Sequence, residues 1–253
     1  MTADLGVYLV TDGALCDRHG VGVLGVVRAA VQAGVRTVQV RDKTASARDL
    51  LALTAAVADA VGDRATVVVD DCLDVALAAR VAGHRVAGVH LGQSDLPVTA
   101  ARTLLGPDAH VGLTANTPAH LAAVDRLPRG TVDLLGVGVV HPTSTKPDHP
   151  APLGHAGVAR IAAATDVPCV AIGGVGLDDV PALRAAGVAG VAVVSGICAA
   201  ADPGAAAAAY LAAWAGVADL RDGVGADHGT EPDPTAGRDP RLQAGAVPDG
   251  DRR

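Results

Sequence analysis

Phenylalanine is absent from these 253 residues, and two tyrosines and one tryptophan are the only aromatics. A core must therefore be built from Val, Leu, Ile and Ala, and stacking platforms for single-stranded nucleic acid are disfavoured. Positive charge is also short, with a net charge of −7. That argues against a nucleic-acid partner, which normally meets a basic face, but leaves room for a small phosphorylated substrate served by a few local cations. No uninterrupted apolar stretch approaches bilayer length, since the run near Ala205–Ala213 is too short and too weakly hydrophobic, so no membrane insertion is expected. The segment from Met1 to Gly6 carries an early acid and no basic flank ahead of an apolar region, so no signal peptide is visible and a cytoplasmic protein is expected. Cys16, Cys72, Cys169 and Cys198 lack C-x-x-C spacing, which disfavours a structural zinc site or redox pair and reads as reduced thiols.

Lysine is nearly absent too. Lys43 and Lys146 stand against eighteen arginines, and each closes a polar loop after an apolar run. A compact ammonium differs from a planar guanidinium in what it can do at such a place. Lys43 ends Gln39-Val40-Arg41-Asp42-Lys43, and Lys146 ends Pro142-Thr143-Ser144-Thr145-Lys146, so cations and hydroxyls gather as an oxyanion such as phosphate requires. Two solvated surface lysines are the plainer alternative.

Eight short apolar runs recur between Ala/Leu/Val-rich segments of helical period: Val7–Val10, Thr37–Val40, Thr66–Val69, Gly88–Leu91, His110–Leu113, Leu134–Val137, Pro168–Ile172 and Gly190–Val194. This alternation predicts a parallel sheet, and eight βα units predict a single-domain (β/α)8 TIM barrel, with an open doubly wound sheet as the alternative. Ala47–Val61 carries a helical apolar stripe, and Asp178-Asp179-Val180-Pro181 places acids at a helix start that Ala185-Ala186-Gly187 ends. Residues 1–215 read as the barrel; from about Gly216 to Arg253 the chain turns to Gly, Pro, Asp, Arg and Thr without an apolar face, and a disordered tail is expected.

In such a barrel the residues after each strand form one ring. Here the ring comprises Thr11-Asp12, Gln39–Lys43, Asp70-Asp71, Gly92-Gln93-Ser94-Asp95, Thr114, His141–Lys146, Gly173-Gly174 and Ser195. Asp71 and Asp95 follow adjacent strands and suit Mg²⁺ shared with phosphate oxygens; alternatively Asp71 is a helix N-cap and Asp95 a turn residue. Gly173-Gly174 and Val194-Ser195 sit where this fold often binds phosphate, and their simpler reading is two tight turns. Two anion sites on one rim suit the joining of two phosphorylated substrates, with a diphosphate as leaving group.

The segments Tyr8-Leu-Val-Thr-Asp12, Val38–Lys43, Gly88-Val-His-Leu-Gly-Gln-Ser-Asp-Leu-Pro97, Gly136-Val-Gly-Val-Val-His-Pro-Thr-Ser-Thr-Lys-Pro147 and Val170-Ala-Ile-Gly-Gly174 resemble the thiamine-phosphate synthase family over about residues 5–215. The resemblance implies an Mg²⁺-dependent transferase of thiamine biosynthesis that joins a pyrimidine diphosphate to a thiazole phosphate and releases pyrophosphate. By position it implies that Gln39, Arg41 and Lys43, in a segment including Val40 and Asp42, hold the pyrimidine diphosphate with Lys146 and Thr114. Arg41, Lys43 and Lys146 are the expected catalytic cations, and Asp71 and Asp95 the metal ligands. Thr143 and Thr145 would meet the thiazole, with Ser144 between them also counted as substrate-binding, and the backbone at Gly174, Val194 and Ser195 would hold its phosphate. The implied chemistry is dissociative, and homo-oligomeric assembly is compatible with it. Asp70, expected beside the pyrimidine, replaces the family's usual Asn; Cys72 replaces Arg, His141 replaces Phe, and Thr114 replaces Ser while keeping the hydroxyl. A thiazole tautomerase-like paralogue, needing no diphosphate site, and a non-catalytic phosphate-binding regulatory barrel are the rival readings.

Overall fold

A computed structural model describes residues 5–145 and 150–216. The expected tail beyond Gly216 and the loop cation Lys146 lie outside the described residues. The chain runs β1 (Val7–Val10), α1 (Gly13–Cys16), α2 (Gly22–Ala33), β2 (Thr37–Val40), α3 (Ala47–Val61), β3 (Thr66–Asp70), α4 (Leu73–Val81) and β4 (Gly88–Leu91). It continues through α5 (Val98–Leu105), β5 (His110–Thr114), α6 (Pro118–Asp125), β6 (Leu134–Gly138), α7 (Gly154–Ala162) and β7 (Cys169–Ile172). A 3₁₀ turn (Leu177–Asp179), α8 (Val180–Ala185), β8 (Gly190–Val193), α9 (Ser195–Cys198) and α10 (Pro203–Ala215) complete it.

All eight strands are parallel and each pairs with the next; β1 also pairs with β8 through Tyr8 opposite Ala192, so the sheet closes. That closure decides against the open sheet. The strand residues alternate between two apolar compartments, as the period of two requires. Tyr8, Val10, Val68, Leu134, Val170 and Ala192 fill the barrel interior. Their neighbours Leu9, Val38, Val40, Val69, Leu91 and Val193 face the helical shell. Valine suits both compartments, because its branched side chain packs well on a pleated surface without needing aromatic bulk.

The sequence-predicted strands match within one residue, and the shifts have local causes. Pro168 has no amide to donate, so the ladder starts at Cys169 although the Pro168 carbonyl still accepts from Leu135 N at 2.8 Å. Val194 leaves the extended region (φ −108°, ψ −84°) and becomes the N-cap of α9. Helix α3 starts where the Ser46 hydroxyl accepts from Asp49 N, and it buries Leu50, Thr54, Val57, Ala58 and Val61 along one stripe. The acids at 178 and 179 form the 3₁₀ turn that leads into α8. No helix among the described residues is long and apolar enough to cross a membrane. The four cysteines are free thiols.

Candidate functional site

Because the strands are parallel, their C-terminal ends open on one rim. There they surround a cavity of about 670 Å³ whose walls include Gln39, Arg41, Lys43, Asp70, Asp71, Asp95, Thr114 and Thr145. Thr11 fixes the start of the cationic wall. Its hydroxyl accepts from Arg41 N at 2.9 Å and donates to Arg41 O at 3.2 Å, pinning the end of β2 against that of β1. The Arg41 guanidinium lies 3.5 Å from both Asp12 and Asp70 and reaches the Thr145 carbonyl at 3.4 Å. Lys43 Nζ lies 2.9 Å from Asp70 and is ion-paired to Asp71 as well. Burial alone would lower the Lys43 pKa, but the Asp71 and Asp70 carboxylates outweigh it and hold the ammonium charged.

Asp71 carries the one positive φ among the described non-glycine residues, at 57°. Asp tolerates this left-handed geometry better than most side chains do. The turn ends β3 and leaves Cys72, not Asp71, as the N-cap of α4, without a side-chain cap bond. The capping role for Asp71 is therefore overturned. Asp95 does serve its turn: its Oδ2 accepts from Gly92 N at 2.7 Å. It also shares a hydrogen bond with Asp71. Burial and then that contact raise the Asp95 carboxyl, whereas at Asp71 the opposing pull of burial is outweighed by Lys43 and Asp95. Two carboxyl groups brought side by side are suited to a hard divalent cation, which takes one or two protein carboxylates plus phosphate oxygens. The donor set therefore fits Mg²⁺. Asp70, with a side chain only 12% exposed, has its pKa raised by burial and by the Asp71 charge.

The cavity floor holds residues that sequence reasoning passed over. His90 sits on the inner face of β4, with Nε2 3.1 Å from the Thr114 hydroxyl. A Cβ at Gly136 would lie 3.0 Å from the ring, and one at Gly112 would overlap it, so two glycines on neighbouring strands make room for this imidazole. Gln39 donates to the Tyr8 hydroxyl at 3.1 Å, and burial raises the Tyr8 pKa so that the phenol stays protonated. Asn116, also on the cavity wall, accepts from Gly138 N at 3.0 Å. The signal for His90 was its place in the period-two pattern of Gly88-Val-His-Leu, where it alternates with shell-facing Val89 and Leu91.

A small cleft of about 20 Å³ adjoins the cavity, lined by Thr143, Thr145, Gly173, Gly174, Val194 and Ser195. Gly173 and Gly174 have φ of 90° and 69°, and a Cβ at Gly174 would lie 2.9 Å from His141 Cβ. Only glycine brings the backbone this close and so exposes it to a ligand. Thr145 and Val194 line both spaces, which makes them one continuous site.

Three expected contacts are placed elsewhere. The Val40 side chain is buried in the helical shell, on the face of β2 opposite the cavity, so as a side-chain contact it is corrected. Asp42 Oδ1 accepts from Thr44 N and the Thr44 hydroxyl at 2.8 Å and from Ala45 N at 3.0 Å, bracing its own loop. These hydrogen bonds from Thr44 N outweigh burial and hold its carboxyl below the ordinary range. Ser144 is exposed and lines neither space.

A family model of thiamine monophosphate synthase matches residues 7–197. A thiamine-phosphate synthase of Corynebacterium efficiens is 47% identical over 202 residues, covering 80% of this chain and 91% of the relative. One from a Psychrobacter species is 39% identical over 208 residues, covering 82% and 94%. Among solved structures, thiamine phosphate pyrophosphorylase from Pyrococcus furiosus superposes with a TM-score of 0.73 at 27% identity, over 85% of this chain and 98% of that one.

Proposed function

This chain belongs to the thiamine monophosphate synthase family, and from that membership we propose how its rim joins a pyrimidine diphosphate to a thiazole phosphate, releasing pyrophosphate and forming thiamine phosphate with the help of Mg²⁺. The observation that carries the reading is the continuity of two anion-accepting places through Thr145 and Val194, one walled by Arg41 and Lys43 and the other by a glycine backbone.

Asp12, Asp70, Asp71 and Asp95 formally outnumber Arg41 and Lys43 by two charges, the charge of one Mg²⁺ ion. Asp71 and Asp95 would hold Mg²⁺, which would supply Lewis-acid stabilisation of charge building on the departing pyrophosphate. Arg41 and Lys43 turn from their carboxylates to the diphosphate oxygens and orient the leaving group, and Lys146 adds a third cation by its position in the matched motif. The bond between the pyrimidine methylene and oxygen breaks first, the electron pair leaving with pyrophosphate. The thiazole nitrogen then captures the methylene cation, its phosphate anchored by the amides at Gly174, Val194 and Ser195, with Thr143 and Thr145 beside the ring. Asp70, on the cavity wall, would favour that cation through its negative charge, and no strong general base is needed for the step.

Purified chain given both substrates with and without Mg²⁺ is expected to form thiamine phosphate only with the metal. Asp71→Ala and Asp95→Ala should each raise the Mg²⁺ concentration needed. A tautomerase would isomerise thiazole phosphate alone, and a binding module would do neither. An unchanged Mg²⁺ titration in both variants returns these acids to shaping the turn.

A further inference from the structure

Outside the substrate cavity, two imidazoles and a carboxylate converge where three segments meet. His141 follows β6, His155 is the second residue of α7, and Asp179 ends the 3₁₀ turn after β7. Both Nε2 atoms lie 2.8 Å from the same oxygen, Asp179 Oδ1. The two rings meet edge-on, their centroids 5.5 Å apart and their planes at 77°. All three donor atoms lie within 4.8 Å of one another. The other carboxylate oxygen accepts from Gly176 N at 2.7 Å, which fixes its orientation.

We propose that His141, His155 and Asp179 form a second metal site, selective for a first-row transition ion of the zinc class and separate from the Asp71/Asp95 pair. Donor chemistry makes the distinction. Two imidazoles and one carboxylate suit zinc, cobalt or nickel, whereas Mg²⁺ prefers oxygen donors throughout. The geometry is close to what such an ion requires. Bonds of about 2.0–2.2 Å in a tetrahedron place ligand atoms about 3.3 Å apart, so each His–Asp separation opens by about half an ångström. Side-chain rotation supplies that, because the His141 and His155 side chains are 43% and 40% exposed. Their exposure also leaves a fourth position to water.

A hydrogen bond alone is a weaker account of the cluster. Two rings crowd one oxygen while its partner oxygen is held by the backbone, the kind of outer contact that orients a metal ligand. Metal binding at Nε2 moves each neutral ring's proton to Nδ1, with no further proton acceptor required. The ion would tie the loop after β6 to α7 and to the turn after β7. That junction backs the phosphate cleft, since His141 packs against Gly174. The site would thus stiffen the cleft wall without entering it.

The test uses untagged, chelator-stripped full chain and the metal alone. Calorimetric titration with Zn²⁺ should give one equivalent bound in the low micromolar range or tighter, in the presence of excess Mg²⁺. Co²⁺ should give the visible absorption of a tetrahedral centre. His155→Ala, a change at a partly exposed helix position, should weaken Zn²⁺ by at least about 10–100-fold. It should also abolish the rise in Tm that Zn²⁺ produces, with the circular dichroism unchanged; Asp71→Ala should bind as the wild type does. Absence of stoichiometric Zn²⁺ binding would overturn the proposal. So would binding that survives both His155→Ala and His141→Ala, or binding lost in Asp71→Ala instead.

Discussion

Replacing Asp70 by Asn perturbs the charge balance of the rim with almost no change of shape. The amide keeps one acceptor but brings donors and loses the charge. Asp70 Oδ2 lies 2.9 Å from Lys43 and 3.5 Å from Arg41, in a largely buried position. To hold a diphosphate, Lys43 must give up a charge-assisted contact of a kind worth about 1.5–3 kcal/mol. Asn weakens that hold and removes repulsion toward the incoming anion, so KM for the pyrimidine diphosphate should fall about tenfold, the equivalent of about 1.4 kcal/mol. The transition state responds in the other sense. For a cation taken at about 6 Å from the carboxylate and an effective dielectric of about 20, two full charges interact by about 3 kcal/mol, and a half-developed methylene cation by about half of that. Loss of Asp70 should therefore lower kcat about tenfold, leaving kcat/KM nearly unchanged. Steady-state formation of thiamine phosphate at saturating Mg²⁺ and thiazole phosphate, with the diphosphate varied, separates the two effects. Unchanged kcat and KM would remove Asp70 from the reacting centre, and an inactive wild type revived by Asn would refute the catalytic assignment of this chain.

Lys43→Ala should raise the diphosphate KM about 10–100-fold without loss of fold, since Lys43 is half exposed at the rim. Lys43→Arg should restore only part of the loss, because the larger planar guanidinium does not reproduce the position of the compact ammonium; near wild-type kinetics in Lys43→Ala would refute the contact. Gly112→Ala should destabilise by about 1–3 kcal/mol, as the new methyl meets His90, whose other side is closed by Gly136. At about 2–4 °C per kcal/mol for a chain of this size, calorimetry should show a clear drop in Tm that His90→Ala partly relieves. Asp42→Ala should cost about 1 kcal/mol at neutral pH by removing the brace from Thr44 and Ala45. The Asp42 carboxyl is held below its ordinary value in the fold. Its contribution is therefore present above about pH 4 and lost as pH falls through the depressed value, and urea titrations should show the variant's deficit shrinking there. A deficit that is constant with pH would disprove the ionic character of the brace.

The barrel was legible because each strand is a run of valines and neighbours bounded by Gly, Asp or Thr, and because consecutive strands pair in order. That order also brought Asp71 and Asp95 together from adjacent strands. What stayed hidden depends on register or on backbone sign. His90 reads as one member of an apolar run until pairing sets it opposite Gly112. The displacement of Asp71 from the α4 cap follows from a φ of 57°, which no neighbouring residue announces.

Asp179 was hidden for a subtler reason, because it has a local duty that already accounts for it. Asp95 and Asp179 occupy the same short device, Gly-x-x-Asp, in which one carboxylate oxygen accepts from the glycine amide at 2.7 Å. For Asp179 sequence reading finds the helix-start duty and stops, whereas for Asp95 the metal reading stood beside the turn role. A carboxylate has two oxygens, however, and fixing one of them aims the other. Asp95 is left to meet Asp71, and Asp179 Oδ1 is left to meet His141 and His155. The turn thus lowers the entropy that a ligand would otherwise have to remove from the side chain. Breaking the device, by replacing Gly92 or Gly176 with proline to delete the amide, should therefore weaken metal binding at the neighbouring acid while leaving every proposed ligand in the sequence.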